Sequence, residues 1–528
     1  MTSPQPNSDM IYDLFIIGGG INGCGIARDA AGRGLTVALA EMGDLGQGTS
    51  SRSTKLFHGG LRYLEYFEIG LVAKALRERE VLLRAMPHIA RPMRFVLPLS
   101  PAMRFDTNTP AARLLARVMP WAKGRRPTWL IRLGLRAYDS LGGRKILPAT
   151  RSLNLRHDAA GATLKPHYTR AFEYSDVWVD DARLVALNAR DGAQRGAQIM
   201  VQTKVTHAAR MGDVWHITTQ GPQGTQTHRA RALINAGGPW AIEVLQDALA
   251  LQTRASIRLV RGSHIVTRRL FDHNRAYFLQ GRDGRIMFMI PYEDEFTLIG
   301  TTDVDHQGDA VTAACSDAEL AYMIEFANQY LAKPISAADI VWSYAGVRPL
   351  YNDGAASAQA LTRDYVLQLD DQGAPLLNIF GGKITTYRKL AEEALDMLGA
   401  AVPMAEGWTE ATPLPGGNFP HDGMPILQAD LARDYPFLPL ELAARLLRAY
   451  GTDTWAVLGA AKSVEDLGRH FGAGLYMTEV RWLITHEFAR AAEDVIWRRS
   501  KLGLHMSSTE VAALDAYMSD MQRAPIGV

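Results

Sequence analysis

Cysteine is nearly absent: the 528 residues hold two, Cys24 and Cys315. Two cysteines so far apart supply no disulfide framework, zinc knuckle or iron–sulfur ligand set. No metal site is expected, and a reducing cytoplasm suits the chain best. Long apolar runs are also missing. None reaches the ~18 residues of a spanning helix, and the opening MTSPQPNSDM lacks the apolar core of a secretory signal. Contact with a membrane is therefore expected along its surface only. Nor does charge of one sign dominate, since 57 Lys and Arg face 55 Asp and Glu for a formal net charge of +2. Electrostatic recognition must then come from local clusters, and no nucleic-acid partner is expected. What remains is ordinary globular composition, 47% apolar and 21% charged, in a chain long enough for two or three domains.

The strongest pattern is YDLFIIGGGINGCGIARDAAGRGLTVALAE, near the start. Tyr12 to Ile17 is an apolar run of strand length, a helical pattern spans about Ile21 to Arg33, and Leu35 to Ala40 reads as a second buried strand. Gly18, Gly20 and Gly23 stand in G-x-G-x-x-G register at the strand-to-helix turn. There Gly18 serves the tight turn, Gly20 lets backbone N–H groups approach a pyrophosphate, and Gly23 lets the helix pack on the sheet. Glu41 falls about twenty residues on, where a carboxylate holds ribose hydroxyls and repels a 2′-phosphate. A dinucleotide site follows.

Its continuation favours FAD over NAD. Instead of further βα units the chain enters TSSRSTKLFHGGLRYLE, then a basic and irregular region. Glycine-edged strands return only at RALINAGGPW (Arg231 to Trp240) and PLLNIFGGKITTYRKLAEEAL (Pro375 to Leu395). Three separated segments describe one nucleotide domain built discontinuously around an insertion. Ile257 to Val266 and Arg285 to Gly300 read as antiparallel strands of that insertion. Beyond a linker-like stretch, 400–418, helical periodicity takes over and no catalytic constellation is visible.

These stretches, with FEYSDVWVDDARL (Phe172 to Leu184), RLVRGSHIV (Arg258 to Val266), IGTTD (Ile299 to Asp303), WSYAGVRPL (Trp342 to Leu350), TRDY (Thr362 to Tyr365) and WRRSKLG (Trp497 to Gly503), resemble a known family. In order and spacing it is the FAD-dependent glycerol-3-phosphate dehydrogenases, the respiratory type that passes electrons to quinone. The resemblance implies an α/β plus α fold. A discontinuous Rossmann-like FAD-binding domain of the glutathione-reductase/D-amino-acid-oxidase type would cover 10–52, 172–250 and 350–398. An antiparallel β substrate-cap domain would cover 53–171 and 251–349, and a helical C-terminal domain 405–528. The implied reaction is oxidation of sn-glycerol 3-phosphate to dihydroxyacetone phosphate by hydride transfer from C2 to N5 of FAD, with membrane quinone as oxidant. A homodimer, peripheral on the cytoplasmic face of the cell membrane, is implied as well. An oxidase using dioxygen is the alternative within the family.

Such a substrate is a dianion, which suits arginine's bidentate fork. Four basic residues stand in glycine- or proline-edged contexts: Arg62, Arg348, Arg363 and Lys383. The resemblance places Arg62, Arg348 and Lys383 nearest the phosphate and the reacting carbinol, Arg363 close by, and Tyr63 beside Arg62. Arg348 and Lys383 would also stabilise developing alkoxide charge. His264 and His58 are the candidate general bases, with His264 preferred. FAD would be held by Gly18, Gly20, Gly23, Glu41, Thr49, Ser50, Ser51, Gly237, Gly382, Thr385 and Thr386.

One region stands apart. Residues 104–145 carry ten Lys or Arg against two Asp and no Glu, with Trp121, Trp129, Leu130 and Ile131 among the interleaved apolar residues. Basic residues mixed with Trp and Leu compose an interfacial segment on an anionic membrane. The stretch from Ala102 to Arg126 is longer than the family usually has.

Overall fold

Five parallel strands run in the order Leu376–Phe380, Gly224–Asn235, Ile11–Ile17, Val37–Ala40 and Gln198–Met200. Their sequences are almost continuously apolar because both faces of the sheet are covered. Alternation assigns the residues to two cores. Leu14, Ile16, Val37 and Leu39 pack with Ile26, Leu187 and Leu390 of the helices Ile21–Gly32, Asp181–Gln194 and Tyr387–Leu398. Phe15, Ile17, Ala38 and Ala40 pack with Trp215 and Leu245 on the other side. An antiparallel strand, Val366–Asp370, closes one edge, and the hairpin Lys204–Met211/Val214–Gly221 leans on the first half of Gly224–Asn235. The chain is a computed structural model that describes residues 10–523 apart from 101–102, 104–108, 111, 114–116, 118–126, 282–283 and 353–363.

A second sheet of ten strands stands over the first, and its pairing is antiparallel except where Ala276–Gln280 meets Ala90–Pro98. Its spine is the pairing of Ile257–Arg268 with Ile340–Tyr351. The strand Arg170–Val179, expected from 172 within the nucleotide unit, pairs here with Ala90–Pro98 and Arg151–Asn154. A buried apolar strand reads alike in either sheet, so its sequence does not say which one it joins. The chain enters the nucleotide layer at Asp180, whose carboxylate caps helix Asp181–Gln194 by accepting from the N–H groups of Ala182 and Arg183.

The helices Met424–Asp434, Leu440–Tyr450, Met477–His486 and Ser508–Arg523 form a separate core around Leu446, Leu447, Leu483 and Leu514. Buried charge ties this unit to the nucleotide sheet. Arg498 and Arg499 close on Asp44 at 2.5 and 2.7 Å, and Arg183 grips Glu487. Burial pushes the Asp44 carboxyl upward, but the two guanidiniums more than offset this and hold it below its usual range. The loop after Val37–Ala40, which borders the site below, is thereby anchored from the C-terminal unit.

Candidate active site

The carboxyl ends of the parallel strands and the inner face of the second sheet enclose a cavity of about 570 Å³. This is where an open α/β sheet presents its loops to a ligand. Gly18, Gly237 and Gly382 follow three of the parallel strands and line it, as do Gly20, Glu41, Thr49 and Ser50. Gly18 takes φ +108, a left-handed conformation that opens the turn at little cost to glycine. Gly23 lies beneath, where an added Cβ would come within 1.9 Å of the Gly18 carbonyl oxygen. Helix Ile21–Gly32 starts at Gly20, which offers no side-chain cap, and Ser50 Oγ accepts from Ile21 N at 3.0 Å. The remaining N–H groups there suit an anion.

Glu41 accepts from Gly19 N at 2.6 Å and from Gly43 N at 2.8 Å. Burial raises its carboxyl above the usual range, against the pull of those two N–H groups. Asn22 also lines the cavity, and its Oδ1 is buried without a hydrogen-bond partner. A helix N-terminus for a pyrophosphate, a carboxylate for ribose and an unsatisfied buried amide oxygen together fit FAD. Ser51 and Thr386, expected to touch it, are off the cavity wall, whereas Thr385 is on it.

The opposite end of the cavity is cationic. Arg348, on strand Ile340–Tyr351, donates to Thr301 Oγ1 at 3.1 Å and is paired with Asp303. Its guanidinium passes over Gly262, where a Cβ would lie 2.4 Å from Nη2. Lys383 Nζ sits 3.8 Å from the centre of the Tyr63 ring, a cation–π contact. Arg62 precedes Tyr63 on the turn Leu61–Tyr66 and is not on the wall itself. Arg363 lies outside the described residues.

The two histidines are placed differently. His58 lines the cavity, meets the edge of Phe288 at 6.3 Å, and receives its position from a chain that bonds to Thr385 Oγ1 through His58 N at 3.4 Å. Burial, with Lys383, Arg79 and Arg348 adding to it, pushes its imidazole down to about 4. His264 is behind the wall, stacked on Tyr344 at 4.8 Å, with Nε2 2.9 Å from Thr54 Oγ1. Burial, then Arg348 and Lys55, hold it well below its usual range. Both are neutral near pH 7. Reading the sequence missed Asn22, Phe288, Thr301 and Asp303 as wall residues. Thr301 and Asp303 carried a signal: a polar triplet directly after the strand Phe296–Gly300.

The family described as FAD dependent oxidoreductase matches residues 13–388, and the C-terminal domain of alpha-glycerophosphate oxidase matches residues 408–524. D-erythritol 1-phosphate dehydrogenase of Brucella abortus (strain 2308) is 48% identical over 95% of this chain and 96% of its own. Glycerol-3-phosphate dehydrogenase of Pseudomonas aeruginosa is 46% identical over 96% of this chain and 95% of its own. The aerobic glycerol-3-phosphate dehydrogenase of Escherichia coli (strain K12) is 44% identical, covering 96% and 97%. Among solved structures, the glycerol-3-phosphate dehydrogenase of Bacillus halodurans complexed with FAD shares the fold, with a TM-score of 0.72, 24% identity and coverage of 98% of this chain and 90% of that one.

Proposed function

We propose a function from the premise that the chain belongs to the FAD-dependent glycerol-3-phosphate dehydrogenase family. It is an FAD-dependent oxidoreductase, and the reaction we assign is oxidation of the C2 alcohol of sn-glycerol 3-phosphate to the ketone of dihydroxyacetone phosphate. The observation that carries this reading is the cationic end of the cavity, where Arg348 and Lys383 stand beside Tyr63 and a neutral His58. A phosphate dianion and a hydroxyl losing its proton are the chemistry those groups suit.

FAD, held by the glycine turn and Glu41, would supply a two-electron hydride acceptor for C2. The chain's own residues do the rest. Arg348 and Lys383 bind the phosphate and stabilise charge that develops on the C2 oxygen. Glycines 18 and 20 leave room for backbone N–H groups to hold the cofactor's diphosphate, and Glu41 and Thr49 lie along the same cradle.

His58 takes the C2 hydroxyl proton, because it lines the cavity while His264 reaches it only through Thr54. An acceptor must be deprotonated, so a group lowered to about 4 stays competent at neutral pH and fails only when acidified toward that value. His58→Asn should cut the reduction rate by about 10²–10⁴-fold, while His264→Asn costs less. Rapid-mixing rates of the two variants across pH check this, and an equal loss in both would transfer the role to the Thr54–His264 pair.

The test of the function itself is anaerobic reduction of the purified flavoprotein by sn-glycerol 3-phosphate, followed by bleaching of the flavin absorbance. D-erythritol 1-phosphate is the comparison substrate, because the relative bearing that name is 48% identical. It also has a secondary alcohol next to the phosphorylated carbon, with one more hydroxymethylene to house. Faster bleaching by the longer substrate would reassign the physiological alcohol without changing the chemistry. No bleaching by either would overturn the reading.

We assign reoxidation to membrane quinone, in an enzyme peripheral on the cytoplasmic face of the membrane; dioxygen with release of hydrogen peroxide is the alternative acceptor. Peroxide yield in air separates them. Support for a surface location comes from helix Thr128–Leu141, whose exposed Trp129, Arg132, Leu133 and Arg136 fall on one face at spacings of three and four. Most of the basic stretch before it, including 118–126, lies outside the described residues. Among the described residues no helix is long and apolar enough to cross a membrane. The protein should cosediment with phosphatidylglycerol vesicles at low salt and not with phosphatidylcholine. Reversing both arginines, Arg132→Glu with Arg136→Glu, should weaken that binding about thirtyfold or more at roughly 1 kcal/mol per charge. A homodimer is the assembly proposed with this reading, for which exposed Ile426 and Leu440 offer apolar surface.

A further inference from the structure

Two glycines separate His58 from the turn that carries Tyr63, so this part of the cavity wall has no side chain of its own to hold it. The support comes from behind. The N–H of Gly59, which belongs to the peptide joining it to His58, donates to Tyr138 Oη at 2.8 Å. The same hydroxyl donates to Asp176, with Oδ1 at 2.8 Å and Oδ2 at 3.0 Å. Asp176 is fixed in turn by Arg79 Nη1 at 2.5 Å, and Arg79 also donates to the Ser175 carbonyl at 2.8 Å. Each partner comes from a different element: Arg79 from helix Ile69–Ala85, Tyr138 from helix Thr128–Leu141, Asp176 from strand Arg170–Val179. Tyr138 and Asp176 are 1% and 3% exposed. Neither lines the cavity.

A tyrosine at this place has two separable jobs. Its ring packs edge-on against Tyr174 at 5.9 Å and fills the space above Gly59, where an added Cβ would lie 2.8 Å from Tyr138 Cε2. Phenylalanine would do that equally well. Its hydroxyl does something phenylalanine cannot: it accepts from one peptide N–H while donating to a carboxylate, so the orientation of the His58–Gly59 peptide is set by a buried ion pair. On its opposite side, toward the nucleotide layer, the segment's contact from His58 N to Thr385 Oγ1 is long at 3.4 Å.

We propose that Tyr138 is a positioning residue for the reaction, its hydroxyl holding the His58–Gly59 peptide so that the His58 imidazole and the Tyr63 ring keep their places at the cationic end of the cavity. The inference rests on the function proposed above, and it adds a residue that touches neither substrate nor cofactor. A displaced proton acceptor slows the chemical step more than it weakens binding, because Arg348 is carried by strand Ile340–Tyr351 and Lys383 by the turn after Leu376–Phe380, not by the segment that Tyr138 holds.

The test is Tyr138→Phe in the FAD-loaded full chain, beside Tyr277→Phe as control. Tyr277 loses an equally buried hydroxyl, one that donates to the Ala160 carbonyl at 2.7 Å, and it does not line the cavity. Tyr138→Phe should retain FAD and lower the limiting rate of flavin reduction about tenfold or more, with the substrate dissociation constant changed by less than about threefold. Amide hydrogen exchange in the peptide containing Gly59 should speed up by about tenfold or more, in protein with and without FAD. Tyr277→Phe should change neither. The proposal is overturned if Tyr138→Phe reduces at the wild-type rate, if its loss lies wholly in substrate affinity, or if Tyr277→Phe matches it. Should the wild-type protein be reduced by neither polyol phosphate, the functional reading fails, and unchanged exchange at Gly59 would still refute the anchoring role on its own.

Discussion

Arg348→Ala is expected to keep its FAD and to lose reduction by sn-glycerol 3-phosphate, with the limiting rate down on the order of 10²–10³-fold and substrate affinity weakened as well. Arg348 comes from the second sheet, opposite the glycine cradle, so its side chain can be removed without touching the residues that fit the cofactor. It is also pre-aligned. Asp303 and Thr301 hold the guanidinium, and Gly262 leaves it room to lie flat against the strand beside it. Removing it bares the Asp303 carboxylate at the end of the cavity where a dianion must sit, so part of the loss is repulsion. The double variant Arg348→Ala with Asp303→Asn should therefore recover some affinity while leaving the rate low. Arg348→Lys should rescue poorly, since a point charge on a flexible stem does not reproduce a fork held in plane by two partners. Rapid-mixing kinetics with FAD content measured in parallel decide the matter. Wild-type reduction by Arg348→Ala would remove this arginine from the phosphate site.

The parts of this site that were legible from residues alone share one property: their chemistry depends on local spacing. Gly18, Gly20 and Glu41 are set by one strand–helix–strand unit, and all line the cavity as that unit demands. Lys383 and Thr385 follow a double glycine after a strand, which again is a local signature. Where pairing between distant segments decides, sequence said less. Arg170–Val179 is an apolar strand that either sheet could accept, and it joins the second through Ala90–Pro98. Sequence favours His264 over His58 as proton acceptor, yet His264 is stacked behind the wall on Tyr344 and His58 faces the cavity, a difference set by a strand partner some eighty residues downstream. Tyr138 was invisible as a site residue for the same reason, and Asp303 showed only as part of a polar triplet after a strand. Each acquires its role from a neighbour, Arg348 or Gly59, contributed by another part of the chain.

Gly23→Ala should yield a protein without bound FAD and with a lowered melting temperature. At Gly23 the added Cβ would stand 1.9 Å from the Gly18 carbonyl oxygen and 3.1 Å from its carbonyl carbon. Neither is the mobile end of a side chain. Relief would require the helix Ile21–Gly32 to move away from the turn that Gly18 forms at φ +108, and that turn cannot move freely either, because a Cβ at Gly18 would already be within 2.5 Å of the Ala236 carbonyl oxygen. Backbone therefore meets backbone on both sides. Over-packing with side chains costs about 1–3 kcal/mol because rotamers can yield, and here the yielding parts are the strand ends and the helix N-terminus that make the cradle. Gly70→Ala is the control: Gly70 lies in helix Ile69–Ala85, an added Cβ there has nothing within 4 Å, and alanine should be neutral or stabilise by up to about 1 kcal/mol. Flavin absorbance of the purified variants and thermal melts with and without added FAD read out the difference. If Gly23→Ala retained FAD and melted with the wild type, the close crossing of helix and strand would not be what shapes the cofactor site, and the assignment of the glycine register to FAD would have to rest on Gly18, Gly20 and Glu41 alone.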